Sequence, residues 1–491
     1  MRIPLPLESY LETSKSHKLV PLHTKIMGDG LTPVMAYQKL KELCDYSYLL
    51  ESVQQDEKLG RFSFIGTNPL VIIQSQGDEV TITKDGETKT QKGNPFEVVI
   101  KEAEQAGMAQ LPELADIFKG SLVGYFGYDT IRHIEKIPDN NPDELELPES
   151  LFILPRTVVI FDNITTEVTL IELAQGGSES HYIEGIKKLK HTFSLLNEPF
   201  SPKVSVVPTT ESVTPTYSSN MTAEEFKANV VKAKEYIKEG EIFQVVISQR
   251  FCMDYHGDAF EVYRSLRRIN PSPYLYFLKQ PGFEIAGSSP EILVKKEGST
   301  LTLRPIAGTR KRGKNEAEDQ ALADDMMSDP KEVAEHMMLV DLGRNDLGRV
   351  AKFGSVKPTR FQFIENYSHV MHIVTNLTAE TADGVGPHEV LMSAFPAGTL
   401  SGAPKIRAME IIDELEITKR GCYGGTIMHL DFLGNLDSCI IIRTVVIKDN
   451  KAYIQAGAGV VADSVPEMEH EECLNKARAV MKAVALSQEL K

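Results

Sequence analysis

Short segments of alternating apolar and polar residues, joined directly by turns, fill the first part of the chain and restrict it to antiparallel sheet. Residues 79–90 alternate with the period of a strand, and Asp85-Gly86 at their centre is a hairpin turn signal. Residues 157–173 predict a second hairpin, which turns near Asp162-Asn163. Residues 121–129 are rich in glycine and aromatic residues, which indicates a strand packed closely on another backbone.

Helices become more frequent after residue 220. Thr222 and Glu225 predict a capping box at the start of a helix, and residues 242–251 predict a buried strand. Further helices are predicted to begin at Asp329-Pro330 and near Pro466. Because the strands are separated by turns and not by regular βαβ spacing, we expect an α+β fold of mainly antiparallel sheets with helices outside.

The domain division is predicted from length and composition. A chain of 491 residues is too long for one small core. Residues 196–220 are rich in proline, serine and threonine, and are the best candidate for a linker. We therefore expect an N-terminal β-rich region over 1–195, a linker over 196–220 and a second region over 221–491.

Charge and cysteine usage exclude several classes of protein. The formal net charge is −16, which argues against a sequence-independent nucleic-acid binder. The N-terminal residues lack the apolar core of a secretory signal, and no apolar stretch approaches the roughly 20 residues needed to span a bilayer. The five cysteines are scattered and lack CxxC spacing. We expect a cytoplasmic protein with reduced thiols that binds neither nucleic acid nor membrane.

Two acidic pairs fall on predicted helices. Glu332 and Glu335 are spaced i,i+3, as are Glu469 and Glu472, with Lys476 one turn further on. Mg²⁺ takes one or two protein carboxylates and completes its octahedron with water and substrate oxygens. Two glutamates from separate helices fit that requirement. On spacing alone, a solvated helix face with i,i+4 ion pairs is the commoner explanation.

Three other features have both a functional and a structural interpretation. Residues 395–412 form a small-residue loop that leads into a helix, and residues 454–461 form a strand interrupted by glycines; each fits a bound anion or tight packing. Arg443 lies in an otherwise apolar strand, 438–447, where it fits either a carboxylate ligand or an internal ion pair. Residues 270–278 fit either a rigid edge strand or one wall of an apolar pocket.

Taken together and in this order, these features resemble the family of chorismate-using enzymes, which includes the anthranilate, aminodeoxychorismate, isochorismate and salicylate synthases. The resemblance covers nearly the whole chain. It implies large antiparallel sheets packed face to face, with the chorismate-binding catalytic domain over 221–491. The strongest matching segments are 240–250, 287–294, 304–310, 334–350, 398–405, 422–425, 455–461 and 464–480.

The resemblance also implies roles for individual residues. Glu335 and Glu472 would hold Mg²⁺, with Glu332 and Glu469 beside it through water. The enolpyruvyl carboxylate of chorismate would be held by Tyr423, Arg443 and the backbone of Gly457, Ala458 and Gly459, and Lys476 would lie near the metal and the ring carboxylate. Glu291 would be the general acid for loss of the C4 hydroxyl, and His372 and Thr399 would lie beside the ring in the later step that releases pyruvate.

Two positions favour one branch of the family. Ala307 stands where aminodeoxychorismate synthases typically carry a nucleophilic lysine, so no covalent lysine adduct can form there. Gln244 stands where water-using isochorismate synthases have a lysine base. Ammonia needs no comparable activation. Both departures therefore favour direct attack by ammonia, which is the pattern of anthranilate synthases.

The N-terminal region resembles the tryptophan feedback site of that branch. The residues that would contact the amino acid are Glu51, Ser52, Pro271, Ser272, Pro273, Tyr274 and Leu275, although a strand end packed on a proline-rich edge would look the same. No cysteine lies in a GxCxG nucleophile turn, so the resemblance implies a separate glutamine amidotransferase subunit that supplies ammonia.

Three alternatives stay open at this point. An aminodeoxychorismate synthase would have the same fold and metal. A catalytically silent regulatory protein would bind an amino acid without turnover. A glycosidase that uses a carboxylate pair is the most distant alternative.

Overall fold

The structure is a computed structural model that describes residues 4–52, 60–199, 213–367 and 370–489. Its strands, in chain order, are β1 (Leu19–Met27), β2 (Ser47–Glu51), β3 (Phe62–Gln76), β4 (Glu79–Lys84), β5 (Glu87–Lys92), β6 (Leu122–Phe126), β7 (Ser150–Asp162), β8 (Glu167–Gln175), β9 (Ser218–Ser219), β10 (Gln244–Asp254), β11 (Tyr274–Gln280), β12 (Phe283–Ser289), β13 (Ile292–Glu297), β14 (Thr300–Leu303), β15 (Ile306–Lys311), β16 (Lys357–Asn366), β17 (Val370–Glu380), β18 (Gly402–Ala403), β19 (Thr426–Leu430), β20 (Leu436–Ile440), β21 (Thr444–Lys448) and β22 (Lys451–Val460).

The helices are α1 (Leu7–Thr13), α2 (Pro33–Leu40), α3 (Pro95–Glu104), α4 (Glu179–Asn197), α5 (Ala223–Lys238), α6 (Ala259–Ile269), α7 (Glu316–Ser328), α8 (Pro330–Gly348), α9 (Pro387–Ala394), α10 (Lys405–Leu415) and α11 (Pro466–Glu489). Short 3₁₀ turns lie at Pro112–Leu114, Tyr128–His133 and Gly398–Leu400. Within the described ranges, no helix is both long and apolar enough to cross a membrane.

All pairs between these strands are antiparallel, and they form two branches that share β3 and β7. The first branch runs β1-β8-β7-β3-β2-β11-β12-β21-β22-β10, with β9 and β18 beside β10. The second runs β5-β4-β3-β7-β6-β19-β20-β13-β14-β17, with β15 and β16 beside β17. The predicted antiparallel sheets are thus confirmed.

Two prolines mark the point where the branches separate. Pro69 in β3 faces Pro155 in β7, and the register of the two strands shifts just beyond this pair. Proline has no backbone N–H to donate to a neighbouring strand, so the hydrogen bonding of β3 and of β7 is interrupted at this one pair of residues. The first half of β3 pairs with β2 in one branch, and the second half pairs with β4 in the other.

Three hydrophobic cores show how the layers pack. One core contains Tyr48, Tyr276 and Ile285 from the first branch together with Tyr125 and Ile427 from the second, so the two branches pack face to face. The other two cores lie on the outer faces. Helices α2, α4, α5, α6, α10 and α11 cover the first branch, and α3, α8 and α9 cover the second. The expectation of helices outside face-to-face sheets is confirmed.

Strand pairing crosses the proposed domain boundary. β2 pairs with β11, and β6 pairs with β19, so the segments 1–195 and 221–491 share both branches. Of the proposed linker, residues 200–212 lie outside the described residues. Its first two residues end α4, and Ser218–Ser219 forms β9 beside β10.

The helix boundaries follow the signals in the sequence. At the start of α5 the Thr222 side chain accepts a bond from the backbone N–H of Glu225, whose carboxylate accepts from the N–H of Thr222, which is the predicted capping box. The Asp329 carboxylate caps α8 by accepting from the N–H of Lys331, and Pro330 takes the first helical position. The Asp329 cap therefore fixes the start of α8, the helix that carries Glu332 and Glu335.

Candidate active site

The segments that pass from one branch to the other carry four of the predicted site residues. Glu291 lies between β12 and β13, and Arg443 lies between β20 and β21. Thr399 lies on the passage from β17 to β18, and Tyr423 on the passage from β18 to β19. Two backbone bonds tie the first two passages together, from Ser288 N–H to the Arg443 carbonyl (3.2 Å) and from Ile440 N–H to the Glu291 carbonyl (3.0 Å).

Glu291 is a half-buried carboxyl group held by one hydroxyl. The Thr399 hydroxyl donates to Glu291 Oε1 at 2.9 Å. Burial raises the pKa of Glu291 to about 7, although this bond and the positive charges of Lys476 and Arg443 oppose the rise. At neutral pH the group therefore retains a proton in a large share of molecules, as a general acid requires.

Arg443 departs from the geometry expected of a strand residue. The strand predicted over 438–447 is interrupted, because β20 ends at Ile440 and β21 begins at Thr444. Arg443 itself has a φ of 52°, which is uncommon outside glycine. Its Nη1 donates to the Lys476 carbonyl at 3.2 Å, and burial lowers its pKa while Tyr423, Glu472 and Glu291 oppose that effect. The break between β20 and β21 therefore places the Arg443 guanidinium where Tyr423, Glu472 and Glu291 act on its charge.

The glycine segment of β22 forms a wall made of backbone. Gly457, Ala458 and Gly459 pair with Ser248, Ile247 and Val246 of β10. A Cβ at Gly457 would lie 2.6 Å from the Ile247 carbonyl oxygen, so only glycine fits there. A Cβ at Gly459 would lie 2.7 Å from Gln244 Nε2, so a larger residue would have to displace that side chain.

Lys476 connects this wall to the acidic residues. Its Nζ donates to the Gly457 carbonyl at 3.1 Å and contacts Glu472 Oε1 at 2.6 Å. Tyr423 is buried, which raises its pKa, so its hydroxyl stays protonated and can donate. Arg443, Tyr423 and Lys476 thus supply donors beside the glycine segment on one side of the site.

The four predicted glutamates come from one helix on each branch. Burial raises the pKa of Glu335, and the carboxylates of Glu332 and Glu472 raise it further. Burial likewise raises the pKa of Glu469, and Glu472 adds to the rise. Glu332 is ion-paired with Arg310, with Oε1 2.7 Å from Nη1. The helices α8 and α11 therefore place like charges near one another.

This set of donors fits Mg²⁺. A cation near Glu335 and Glu472 would relieve the repulsion that raises the pKa of Glu335. The described part of the chain has no group of three or more histidine, cysteine, aspartate or glutamate side chains close enough to hold a metal. Mg²⁺ needs only one or two protein carboxylates and takes its other ligands from water and substrate.

His372 lies on β17 with one ring nitrogen engaged. Its Nδ1 is 2.7 Å from the Gly308 carbonyl, which can only accept, so Nδ1 carries the proton and Nε2 of the neutral ring is an acceptor. Burial lowers the pKa of His372, and Arg443 lowers it further, whereas the Gly308 bond and Glu365 oppose the change. Ala307 lies on β15 opposite Ile373, the neighbour of His372.

A buried ion pair that was not predicted from the sequence joins segments of the chain around the site. Arg420 and Glu416 are 2 % and 5 % exposed, and Arg420 Nη2 lies 2.6 Å from Glu416 Oε1. Arg420 also donates to the carbonyls of Leu400 and Val246, at 2.7 Å each. It therefore joins the Thr399 turn to β10. The i,i+4 spacing of Glu416 and Arg420 fits an ion pair, but the sequence does not show that it is buried, because its role depends on contacts with distant segments.

A second ion pair lies beside the Thr399 turn. Asp346 is buried at the end of α8, where Lys405 Nζ contacts both of its carboxylate oxygens at 3.1 Å. Asp346 lines a cavity of about 40 Å³ together with Glu291 and Thr399. The Lys405–Asp346 pair therefore joins the end of α8 to the start of α10, the helix that follows the Thr399 turn.

The residues predicted to bind an inhibitor lie at a different cavity, of about 480 Å³, between the two branches. Glu51, Ser52, Pro273, Tyr274 and Leu275 line it. Pro271 and Ser272 come just before this wall, and the Ser272 hydroxyl is 3.4 Å from the Asn270 carbonyl. β11 pairs with strands on both sides, so the edge-strand interpretation of residues 270–278 is wrong and the pocket-wall interpretation is confirmed.

Both polar and aromatic side chains line this cavity. Glu51 accepts from Tyr263 (2.5 Å) and lies 3.0 Å from Arg267 Nε. Within the described residues, Ser52 Oγ and His429 Nε2 are buried and have no hydrogen-bond partner. The cavity is also lined by Phe62, Phe64 and Phe118.

Comparison with known proteins gives consistent results. The profile of a family described as chorismate binding enzyme matches residues 46–482. The anthranilate synthase component 1 of Acetivibrio thermocellus is 46% identical over 484 residues, covering 97% of this chain and 98% of that protein. The crystal structure of anthranilate synthase component I from Streptococcus pneumoniae has a TM-score of 0.77 at 34% identity, covering 93% of this chain and 99% of that one.

A more distant structure shares the fold. The menaquinone-specific isochorismate synthase of Escherichia coli has a TM-score of 0.70 at 18% identity, covering 97% of this chain and 99% of that one. At this identity the likeness concerns only the arrangement of the chain. The face-to-face antiparallel sheets described above are therefore common to relatives that are named for different reactions.

Proposed function

We propose that this chain, which belongs to the family of chorismate binding enzymes, converts chorismate and ammonia to anthranilate and pyruvate. The observation that carries the proposal is the half-buried Glu291. Its pKa of about 7 suits a general acid, and the positive charges of Lys476 and Arg443 act on its carboxyl group. A proton donor beside two cations fits a dianionic substrate that must lose a hydroxyl group. The names of the similar proteins support the choice of product.

Substrate binding is assigned to the donors on one side of the site. The enolpyruvyl carboxylate would bind to Arg443, the Tyr423 hydroxyl and the backbone of β22 at Gly457–Gly459. The ring carboxylate would lie near Lys476. Mg²⁺, held by Glu335 and Glu472 with Glu332 and Glu469 behind it through water, would neutralise the ring carboxylate and withdraw electron density from the ring. Fixing both carboxylates leaves the ring in one orientation.

The first step needs one proton from the protein. Ammonia adds at C2, the ring double bonds shift, and the C4 hydroxyl leaves as water with the proton of Glu291. The Thr399 hydroxyl fixes the position of Oε1 in that carboxyl group. Ala307 and Gln244 provide neither a lysine nucleophile nor a lysine base, which supports direct attack by ammonia. In the second step the amino-intermediate loses its C2 proton and pyruvate, with His372 beside the ring.

We assign the supply of ammonia to a separate glutamine amidotransferase subunit. The relatives carry the name component 1, which implies a second component, and no cysteine of this chain lies in a GxCxG nucleophile turn. The described cysteines are unpaired, and burial raises the pKa of the Cys422, Cys439 and Cys473 thiols. Raised thiol pKa values disfavour the thiolate that a glutaminase needs. Alone, this chain would use free ammonia.

We also assign the cavity at Glu51 to feedback inhibition by L-tryptophan. The carboxylate of Glu51 suits an ammonium group, and the surrounding aromatic rings suit an indole. A route to the active site supports this assignment. Tyr276 lines the cavity, and its hydroxyl lies 2.5 Å from that of Thr444, the residue that follows Arg443. A ligand that moves β11 would therefore disturb the substrate-binding arginine.

One assay tests the reaction and its alternatives. The purified chain is incubated with chorismate, Mg²⁺ and ammonium at alkaline pH, and anthranilate fluorescence is followed with and without L-tryptophan. Fluorescent product that tryptophan suppresses supports the whole proposal. A para-amino product would instead support an aminodeoxychorismate synthase. Tryptophan binding without chorismate turnover, in folded and metal-loaded protein, would support a regulatory protein.

A further inference from the structure

A carboxylate beside His372 has no part in the reaction described so far. Glu365 lies on β16 directly opposite His372 on β17. The two side chains interact, since the negative charge of Glu365 raises the pKa of His372 against the effect of burial. Residues on neighbouring strands at one register position lie on the same face of the sheet and are close enough to interact.

Three hydrogen bonds hold this carboxylate in one position. Arg304 Nη2 donates to both oxygens of Glu365, at 3.0 and 2.9 Å, and the Tyr367 hydroxyl donates to Oε2 at 2.8 Å. Arg304 is itself fixed by a bond from Nε to Asn376 Oδ1 at 2.9 Å. Charge-assisted bonds to a part-buried carboxylate are stronger than bonds between neutral groups. Glu365 is therefore a fixed anion and not a mobile surface group.

Tyr367 also links this anion to the reacting groups. Its ring meets the His372 ring edge to face, with centroids 5.4 Å apart and an angle of 67°. Burial raises the pKa of Tyr367, and the charges of Glu365 and Glu291 raise it further. The tyrosine thus stays protonated, donates to Glu365 and restricts the orientation of the histidine ring.

We propose that Glu365, held by Arg304 and Tyr367, is a positioning residue that stabilises the imidazolium of His372 while pyruvate is released. The inference rests on the proposed function, in which His372 lies beside the ring in that step. The C2–H bond breaks and its proton goes to Nε2 of His372. The electron pair completes the aromatic ring, and the C3–O bond breaks. The leaving enolpyruvate takes the proton back and becomes pyruvate.

The groups around His372 act on its protonation in both directions. Burial of the His372 ring and the positive charge of Arg443 both disfavour protonation of the ring. On β15, Gly308 and Thr309 offer Nδ1 only neutral oxygens, at 2.7 and 3.2 Å. Glu365 on β16 supplies the opposing negative charge. Since Nδ1 is already committed to Gly308, the carboxylate acts through its field and not through a direct bond to the ring.

The test uses Glu365→Gln in the full chain with chorismate, Mg²⁺ and ammonium. We expect chorismate consumption to change by less than about twofold, while anthranilate formation slows by up to about fivefold and the amino-intermediate accumulates, since loss of a cross-strand charge interaction costs up to about that factor. Loss of the anion lowers the pKa of His372. The acid limb of the second step should therefore move to lower pH. Chromatography of quenched reactions separates the two steps.

Glu380→Gln is the matched control. Glu380 ends β17, the strand that carries His372, but it is exposed and pairs with Lys352 at 2.7 Å, so both steps should remain unchanged. Tyr367→Phe serves as a second variant if Glu365→Gln does not fold. It removes one donor to Glu365 and keeps the ring, and should give a smaller accumulation of the intermediate. Thermal unfolding of each variant separates folding defects from kinetic ones.

Equal slowing of both steps in Glu365→Gln, or anthranilate formation at the wild-type rate with an unmoved pH profile, would overturn the proposal. These outcomes differ from failure of the proposed function. In that case the wild-type chain would form no anthranilate from chorismate, whatever residue stands at 365.

Discussion

Replacing Glu291 with glutamine should inactivate the enzyme and at the same time stabilise its fold. The substitution removes the transferable proton but keeps an oxygen that can accept from Thr399, which now contacts Oε1 at 2.9 Å. General acid catalysis contributes about 10²- to 10⁴-fold to a rate. We therefore expect chorismate consumption by Glu291→Gln to fall by that factor, with little change in chorismate binding.

The stabilisation follows from the same pKa. Burial raises the pKa of Glu291 from 4.5 to about 7. A group whose pKa is raised on folding stabilises the fold below its unfolded pKa, and this contribution is lost as pH rises through the folded value. At about 1.4 kcal/mol per pKa unit, the loss is about 3 kcal/mol above roughly pH 8. This is an upper bound, because the side chain is half-buried and water screens part of its charge.

Glu172 provides the matched control, since it is a buried carboxyl group on β8 that belongs to no part of the proposed site. It is 1 % exposed and accepts from the Thr157 hydroxyl at 2.7 Å. Burial raises its pKa to about 7 as well, against the opposing effects of the Thr157 bond and the charges of Arg156 and Lys188. Glu172→Gln should therefore gain about 3 kcal/mol above roughly pH 8 and keep full activity, whereas Glu291→Gln should gain stability and lose activity.

Urea unfolding of the wild type and both variants at about pH 4 and about pH 8.5 measures the effect. All three proteins should unfold alike at the lower pH, where both carboxyl groups are largely protonated in the folded and unfolded states. The reasoning about Glu291 is refuted if Glu291→Gln consumes chorismate at the wild-type rate. It is also refuted if this variant is no more stable than the wild type at the higher pH while Glu172→Gln is.

Three further variants test other parts of the site. Glu335→Gln should raise the Mg²⁺ concentration needed for half-maximal activity about tenfold or more, measured by titrating the metal into chelator-treated protein; an unchanged requirement would argue against a metal at this residue. Glu51→Ala should keep chorismate turnover but lose inhibition by L-tryptophan, measured as inhibitor-dependent anthranilate fluorescence, and retained inhibition would remove Glu51 from the inhibitor site. Arg420→Met should destabilise the fold by about 3–5 kcal/mol because it leaves the buried Glu416 unpaired, and urea unfolding that shows less than about 1 kcal/mol would contradict this.

Local elements of the fold were predictable because their signals are local. The Asp85-Gly86 turn joins β4 to β5, with φ values of 49° and 82°, as a two-residue hairpin requires. The capping box at Thr222 likewise depends on residues three apart. The division of the sheet into two branches at Pro69 and Pro155 was not predicted, because it depends on the pairing of strands that are far apart in the sequence.

The candidate site was predictable only in part. The glycines of β22 and the acidic pairs on the helices can be seen as patterns, but each also fits an ordinary structural explanation, and the resemblance to the family decided between them. The break at Arg443 could not be predicted, since an apolar run around one arginine has the pattern of a continuous strand. The same holds for the Arg420–Glu416 pair and for Glu365, whose contacts depend on tertiary packing.

The larger cavity lies between the two branches, where a bound ligand can change their spacing. Glu51 and Leu275 approach this cavity from the first branch, and His429 approaches it from the second. The acidic helices are divided in the same way, since α11 packs on β22 of the first branch and α8 packs on β15 and β17 of the second. A ligand that changed the spacing of the branches at the cavity would also change the distance between Glu335 and Glu472. On the proposed function, the metal and the inhibitor would then compete through the arrangement of the two branches, without sharing a contact.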